Sequence, residues 1–303
     1  MSSVIGPDLS FFFQAHVLGT PLNLKDPSID LRIQKIASNL NFLKKEDLAK
    51  LGRSVQLEIF TAALQKDGLS ERIKTLLPPA LFAELLKQLP TELKTQMALL
   101  ALEADGDKLK LRYNARLSAS QIEELLAAFP GKEKILQLDL SGSKNLFDLT
   151  CLKSLPNLEV LYLNECSALK NLAGLQMLPK LRELELKSCS QLKTLEALEN
   201  CPDLESLDLT NCSGLETLAQ ETDGVRKGLS SLPHLKKLSL SKCTFVLSPQ
   251  FAALETLSGL EELDLSHLPL INEIAFLGAF KQLKKLNLAY TSISDASALN
   301  HLP

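Results

Sequence analysis

Leu158-Glu159-Val160-Leu161-Tyr162-Leu163-Asn164-Glu165-Cys166 returns 23 residues later as Leu181-Arg182-Glu183-Leu184-Glu185-Leu186-Lys187-Ser188-Cys189. The shared Leu-x-x-Leu-x-Leu pattern starts at Ile135, Leu158, Leu181, Leu204, Leu235, Leu260 and Leu283, at steps of 23, 23, 23, 31, 25 and 23 residues. A Leu-x-Leu alternation puts two leucines of a short strand on one face and the intervening side chains on the other. One such strand cannot bury its leucines alone. Stacked copies make a parallel sheet over a continuous leucine core, and the return segments (Leu169 and Leu172, Leu192 and Leu195, Leu215 and Leu218) close its other side.

Over residues 135–303 these seven copies resemble the leucine-rich-repeat family. The resemblance agrees with a right-handed α/β solenoid curved into a horseshoe, and it implies a protein partner on the concave face. Cys166, Cys189, Cys212 and Cys243 share the ninth position of their repeats. Members of the family place Asn or Cys there, where a weak donor faces carbonyls of the neighbouring turn. Cys151 and Cys201 are read as packing residues on the return side. Buried thiols without a basic neighbour are inert, so the cysteines indicate a reducing compartment rather than a site.

The residue between the last two leucines of each strand points away from the core, giving the column Asp139, Tyr162, Glu185, Asp208, Ser239, Asp264, Asn287. The preceding column reads Gln137, Val160, Glu183, Ser206, Lys237, Glu262, Lys285. Seven strands give a face roughly 30 Å long, enough for a helix or a small domain. In the later repeats Lys236 and Lys237, Glu261 and Glu262, and Lys284 and Lys285 alternate in sign, which reads as a self-neutralising cross-strand ladder. In the earlier ones Asp139, Glu183, Glu185, Glu205 and Asp208 surround Tyr162, with Arg182 and Lys187 as nearby counter-charges. These five carboxylates and Tyr162 are the candidate partner-binding residues, suited to a basic, partly apolar surface. A merely solvated acidic face is the alternative.

The long step from Leu204 to Leu235 places its excess in the polar stretch 219–228, read as a loop, and the return of the Leu235 repeat, through Phe245, Pro249 and Phe251, reads as a short helix. Ala298–Pro303 repeats the phase of Cys151–Pro156, which leads into a strand. The pattern therefore anticipates a further repeat beyond it or a minimal cap, with pairing of this end to another molecule as the alternative.

Residues 29–117 read as an all-helical domain after an amino-terminal segment 1–28. The spacing is helical at Leu31, Ile36 and Leu40, at Leu48, Leu51, Val55, Ile59 and Ala63, and at Leu81, Leu85 and Leu89. Residues 118–134 read as a helix after Ser118 that caps the leucine core and passes through Pro130-Gly131 into the repeats. Leu77–Pro90 resembles the opening of an F-box, which implies a ubiquitin-ligase adaptor as the alternative function. Ala80 stands where that family carries an acidic residue, and the chain has no Trp. Helices followed by plain repeats are also similar to bacterial secreted effectors acting in a host cytosol, and to plant resistance-type repeats.

No run of about 18 apolar residues exists and no basic region opens the chain, so neither a membrane span nor Sec export is expected, and the location reads as cytoplasmic. The patch Leu9-Ser10-Phe11-Phe12-Phe13 is expected to pack on the first helices. Residues 1–134 carry 18 basic and 16 acidic side chains, and residues 135–303 carry 15 and 20, without the basic stripe that nucleic acid requires. Phosphate loops, Gly-x-Ser-x-Gly, Cys-x-x-Cys and zinc-ligand spacing are absent. No enzymatic activity, cofactor or metal is expected.

Overall fold

The computed structural model describes residues 8, 10–12, 15, 22–40, 43–67, 73, 76–89, 97–111, 117–222, 225–244 and 248–302. The chain divides into two units at 101/102.

The first unit is helical where described. Asp26 caps α1 (Pro27–Ala37) by accepting the Ser28 amide at 2.8 Å, and a proline at the first turn presets the backbone. The inward face of α1 is Ile29, Ile33, Ile36 and Ala37. Leu31, included in the expected apolar spacing, is instead 71% exposed, because the 29/33/36 series, not 31/36, follows one helical stripe. After α2 (Lys45–Ala49), the long α3 (Arg53–Asp67) buries Ile59, Phe60 and Leu64. Helix α3 packs on both α1 and α4 (Pro79–Gln88). Of the expected patch Leu9–Phe13, Leu9 and Phe13 lie outside the described residues, whereas Phe12 is buried.

The second unit opens with a feature the helical reading of 29–117 did not contain. Residues 102–111 are a hairpin, β1 (Leu102–Asp105) and β2 (Lys108–Leu111), turning at Gly106 with φ +62°. The alternation Lys108-Leu109-Lys110-Leu111 has the strand period and buries both leucines. Strand β2 pairs in parallel with the first repeat strand, Leu109 opposite Leu138. The sheet edge is therefore covered by the hairpin, while helix α5 (Ala119–Ala128) covers the return side. Ser118 and Gln121 form a reciprocal capping box at its start, and Ile122, Leu125 and Leu126 are buried. The helix packs on the 3-10 turn Thr150–Leu152.

The repeats add β3 (Gln137–Asp139), β4 (Val160–Tyr162), β5 (Glu183–Glu185), β6 (Ser206–Asp208), β9 (Lys237–Ser239), β10 (Glu262–Asp264) and β11 (Lys285–Asn287). Between β6 and β9 the inserted stretch forms a separate hairpin, β7 (Ala219–Thr222) and β8 (Val225–Gly228). All seven repeat strands are parallel and in register, with Leu138, Leu161, Leu184, Leu207, Leu238, Leu263 and Leu286 in one row. The first six of these leucines are at most 2% exposed. The return segments form 3-10 turns, and the short helix expected in the Leu235 repeat is the nine-residue 3-10 helix Ser248–Thr256; Phe245 lies outside the described residues. Ser297–His301 forms such a turn as well and packs on Ala275–Ala279.

Two columns run along the solenoid, the first through repeats two to five. The thiols of Cys166, Cys189, Cys212 and Cys243 donate to the carbonyls of Leu140, Leu163, Leu186 and Leu209 at 3.5, 3.2, 3.0 and 3.1 Å. The weak donor expected at position nine thus satisfies a buried acceptor of the preceding turn. Just before it, Gly142, Glu165, Ser188, Asn211, Lys242, His267 and Tyr290 all have φ between +57° and +78°. That conformation turns the Glu165 and Ser188 amides toward the carbonyls of Lys187 and Thr210 in the next repeat, at 2.7 and 2.8 Å. Hydrogen bonding between repeats therefore continues past the strands.

Candidate recognition face

Every repeat strand from β3 to β6 alternates a half-exposed, a buried and a half-exposed residue, so one sheet face is leucine core and the other is open. Asp139, Tyr162, Glu185 and Asp208 lie in register on the open face, with Glu183 paired to Val160 and Ser206 in the neighbouring column. Glu205 precedes β6 and is flanked by cations from both sides.

The carboxylates are not equivalent. Asp139 accepts the Ser141 amide at 2.9 Å and lies 3.3 Å from the Lys110 ammonium. Burial raises its pKa, but the hydrogen bonds to Ser141 and the nearby lysine outweigh this and hold it below the usual carboxylate value. Asp208 accepts the Thr210 amide at 2.9 Å and pairs with Lys187 at 3.3 Å. Glu185 takes a 2.8 Å bond from the Asn164 amide group and lies 3.4 Å from the same Lys187. Glu205 is bridged by Arg182 at 2.9 Å and Lys236 at 2.6 Å. Glu183 alone of the five has no ion pair among the described residues.

Lys110, Lys236 and Asn164 were not foreseen as partners of these carboxylates. Lys110 sits on the hairpin taken for helix, so its position beside Asp139 was invisible in the chain. The local bonds of Asp139 and Asp208 did have a signal: Asp139-Leu140-Ser141 and Asp208-Leu209-Thr210 are Asp-x-Ser/Thr segments whose carboxylate captures the amide two residues on. Asp264 does the same with Ser266 at 2.9 Å.

In the later repeats the expected ladder is present. Glu262 lies 3.5 Å from Lys237 and 3.1 Å from Lys285, and Glu261 lies 2.7 Å from Lys284. Lys236 departs from it by turning to Glu205. These exposed pairs are screened by solvent and contribute little to stability, and they leave little unbalanced charge on that part of the face.

Tyr162 is half-exposed beside the half-exposed Val160. Partial burial, then the charges of Glu183, Glu185 and Asp139, push its phenol above the usual tyrosine pKa. It is thus a neutral donor at any physiological pH, and among the described residues its hydroxyl has no hydrogen-bond partner. A hollow of about 570 Å³ opens beside it, reaching past Gln137 and Asp139 to the β1–β2 hairpin.

Other expected sites fall elsewhere. The 219–228 insertion, read as a loop, is the β7–β8 hairpin, and β8 packs on the return turn Glu196–Asn200, away from the open sheet face; Asp223 and Gly224 lie outside the described residues. In the 77–90 segment Leu81, Phe82, Leu85, Leu86 and Leu89 are all buried in the core of the first unit, and Glu84 pairs with Arg53. Pro90 lies outside the described residues. Among the described residues no helix is long and apolar enough to cross a membrane.

Parallel strands joined by 3-10 returns over a leucine core, with one open sheet face, define a leucine-rich-repeat solenoid. No protein-family profile and no curated protein matches the chain. Among solved structures it is similar to internalin C2 of Listeria monocytogenes, at 22% identity over 73% of this chain and 89% of that one, with a TM-score of 0.48. It is also similar to TLR13 in its complex with ssRNA13, at 21% identity over 72% of this chain and 33% of that one, TM-score 0.49. A third likeness is to the mouse RP105/MD-1 complex, at 25% identity over 60% and 35%, TM-score 0.35.

Proposed function

We propose that this chain is a protein-recognition module that holds its partner on the concave sheet face of the early repeats, around Tyr162. The observation that carries this reading is Tyr162 itself: a half-exposed aromatic with an unused donor, beside Val160, above an open hollow. Aromatic side chains so placed dominate the energetics of protein interfaces. Asp139, Glu183, Glu185, Glu205 and Asp208 surround it and favour a partner with a basic, partly apolar surface. Because four of the five are already paired, they act mainly by holding the face rigid and setting its field, while Tyr162 and Glu183 make the contact. An adaptor role through residues 77–90 finds no support in a helix whose apolar side chains are buried in its own domain.

The test is site-specific photo-crosslinking in cell extract, with the reactive group at Val160 on the face or at Met177 on a return turn. The expected result is a discrete adduct from position 160, absent from position 177 and lost when Tyr162→Asp is added. Equal adducts from both positions, or adducts from neither, refute the proposal.

A further inference from the structure

The charges around Tyr162 are specific enough to name what the partner places there. Four of the five candidate carboxylates are ion-paired, Asp139 with Lys110, Glu185 and Asp208 with the shared Lys187, and Glu205 with Arg182 and Lys236, and among the described residues Glu183 has no such pair. Glu183 stands on β5, diagonal to Tyr162 on β4 and on the same open face, since Tyr162 is in register with Glu185 two residues on. Long side chains on a sheet face interact across that diagonal. The site therefore presents an aromatic face and, next to it, one carboxylate without a cation.

We infer that the partner's anchor at this face is an arginine, whose guanidinium lies on the Tyr162 ring and donates from its edge to Glu183. This rests on the proposed recognition role of the face. A planar guanidinium is weakly hydrated, stacks on aromatic rings and keeps its donors free at the rim for a carboxylate. A lysine ammonium is a compact, strongly hydrated point charge that cannot meet both groups in the same way. Lys110 and Lys187 are already held by Asp139, Glu185 and Asp208. The hollow of about 570 Å³ beside Tyr162 is large enough to receive the residues flanking the arginine.

The chain has three tyrosines, Tyr113, Tyr162 and Tyr290, so ring-labelled protein gives few NMR signals, and Tyr162→Phe assigns the one needed. The intact chain is titrated into the millimolar range with N-acetylarginine amide, the corresponding lysine amide and the uncharged citrulline amide, at fixed ionic strength. The expected result is a saturable shift of the Tyr162 signal with arginine, binding about threefold or more weaker with lysine, and none with citrulline. Glu183→Gln is expected to weaken the arginine response by a similar factor while Glu261→Gln, in the later ladder, leaves it in place, and unchanged Tyr290 signals report an intact fold. Equal responses to arginine and lysine, no response to arginine, or indifference to Glu183→Gln overturns the inference. If the arginine response fails while the position-160 crosslink persists, the anchor is wrong and the recognition face stands; if both fail, both readings fall.

Discussion

Replacing Glu165 by glycine is expected to stabilise the repeat unit. Glu165 is exposed and has φ +61°, a left-handed conformation that costs an L-residue about 1–2 kcal/mol. Glycine removes that cost but adds about 0.5–1 kcal/mol of chain entropy lost on folding, so the net gain is about 0.5–1 kcal/mol. No ion pair or side-chain hydrogen bond of Glu165 is given up among the described residues, and its amide keeps the 2.7 Å bond to the Lys187 carbonyl. At about 2–4 °C per kcal/mol for a unit of this size, the midpoint rises by about 1–4 °C. Glu165→Val tests the same reasoning from the other side, because a β-branched residue fits that conformation poorly and is expected to cost about 1–3 kcal/mol. Circular dichroism during urea and thermal unfolding reads both variants, compared at equal slope. A glycine variant less stable than the parent, together with an unaffected valine variant, would refute the claim that the conformation is imposed by the amide that must reach the next repeat.

The cysteines are expected to resist modification in the native protein: burial pushes Cys189 and Cys243 to about 12 and Cys166 to about 11. At pH 8 a thiol at 12 is about a thousandfold less ionised than one at 9, so mass spectrometry after iodoacetamide finds these thiols labelled only once denaturant unfolds the chain; rapid native labelling contradicts the ladder. Since their folded values are raised, the stability from these neutral thiols is complete below about pH 9 and is lost as the pH rises toward 12, which unfolding midpoints at pH 8 and pH 10.5 (roughly) can compare. Leu184→Ala, at a fully buried position in the middle of the sheet, is expected to cost about 3–5 kcal/mol in urea unfolding; a loss below about 1 kcal/mol would mean that the leucine row is not the core. The Tyr162 phenol titrates above the usual value partly because of Glu183, so Glu183→Gln lowers its midpoint in an NMR titration, and an unchanged midpoint would place the two groups too far apart to interact.

The solenoid was legible in the chain because its rule is local and repeated. A leucine every second residue fixes which face of a strand is buried, and a return of about 23 residues brings the next leucine beside the last. The ninth-position cysteines and the open-face columns followed from the same register. The column residues were therefore legible as lying on the open sheet face, but their ion pairs were not. Whether a carboxylate is free depends on cations that arrive from other turns: Lys110 from a hairpin, Lys187 from the neighbouring strand, Lys236 across an insertion of eight residues beyond the common step.

Three features needed the tertiary structure for one physical reason, that each is set by pairing between segments and not by the segment itself. Residues 102–111 and 219–228 each carry the turn signal Asp-Gly, at Asp105-Gly106 and Asp223-Gly224, but their register is fixed only by the strands that pair. The left-handed column reads Gly, Glu, Ser, Asn, Lys, His and Tyr from repeat to repeat, with no common residue type. Its conformation is imposed by the carbonyl each amide must reach. What the sequence by itself determined was a leucine-cored parallel sheet with one open face. What only the packed structure decided was that four of the five candidate carboxylates on that face are already ion-paired, while among the described residues Glu183 has no ion pair and the Tyr162 hydroxyl no hydrogen bond.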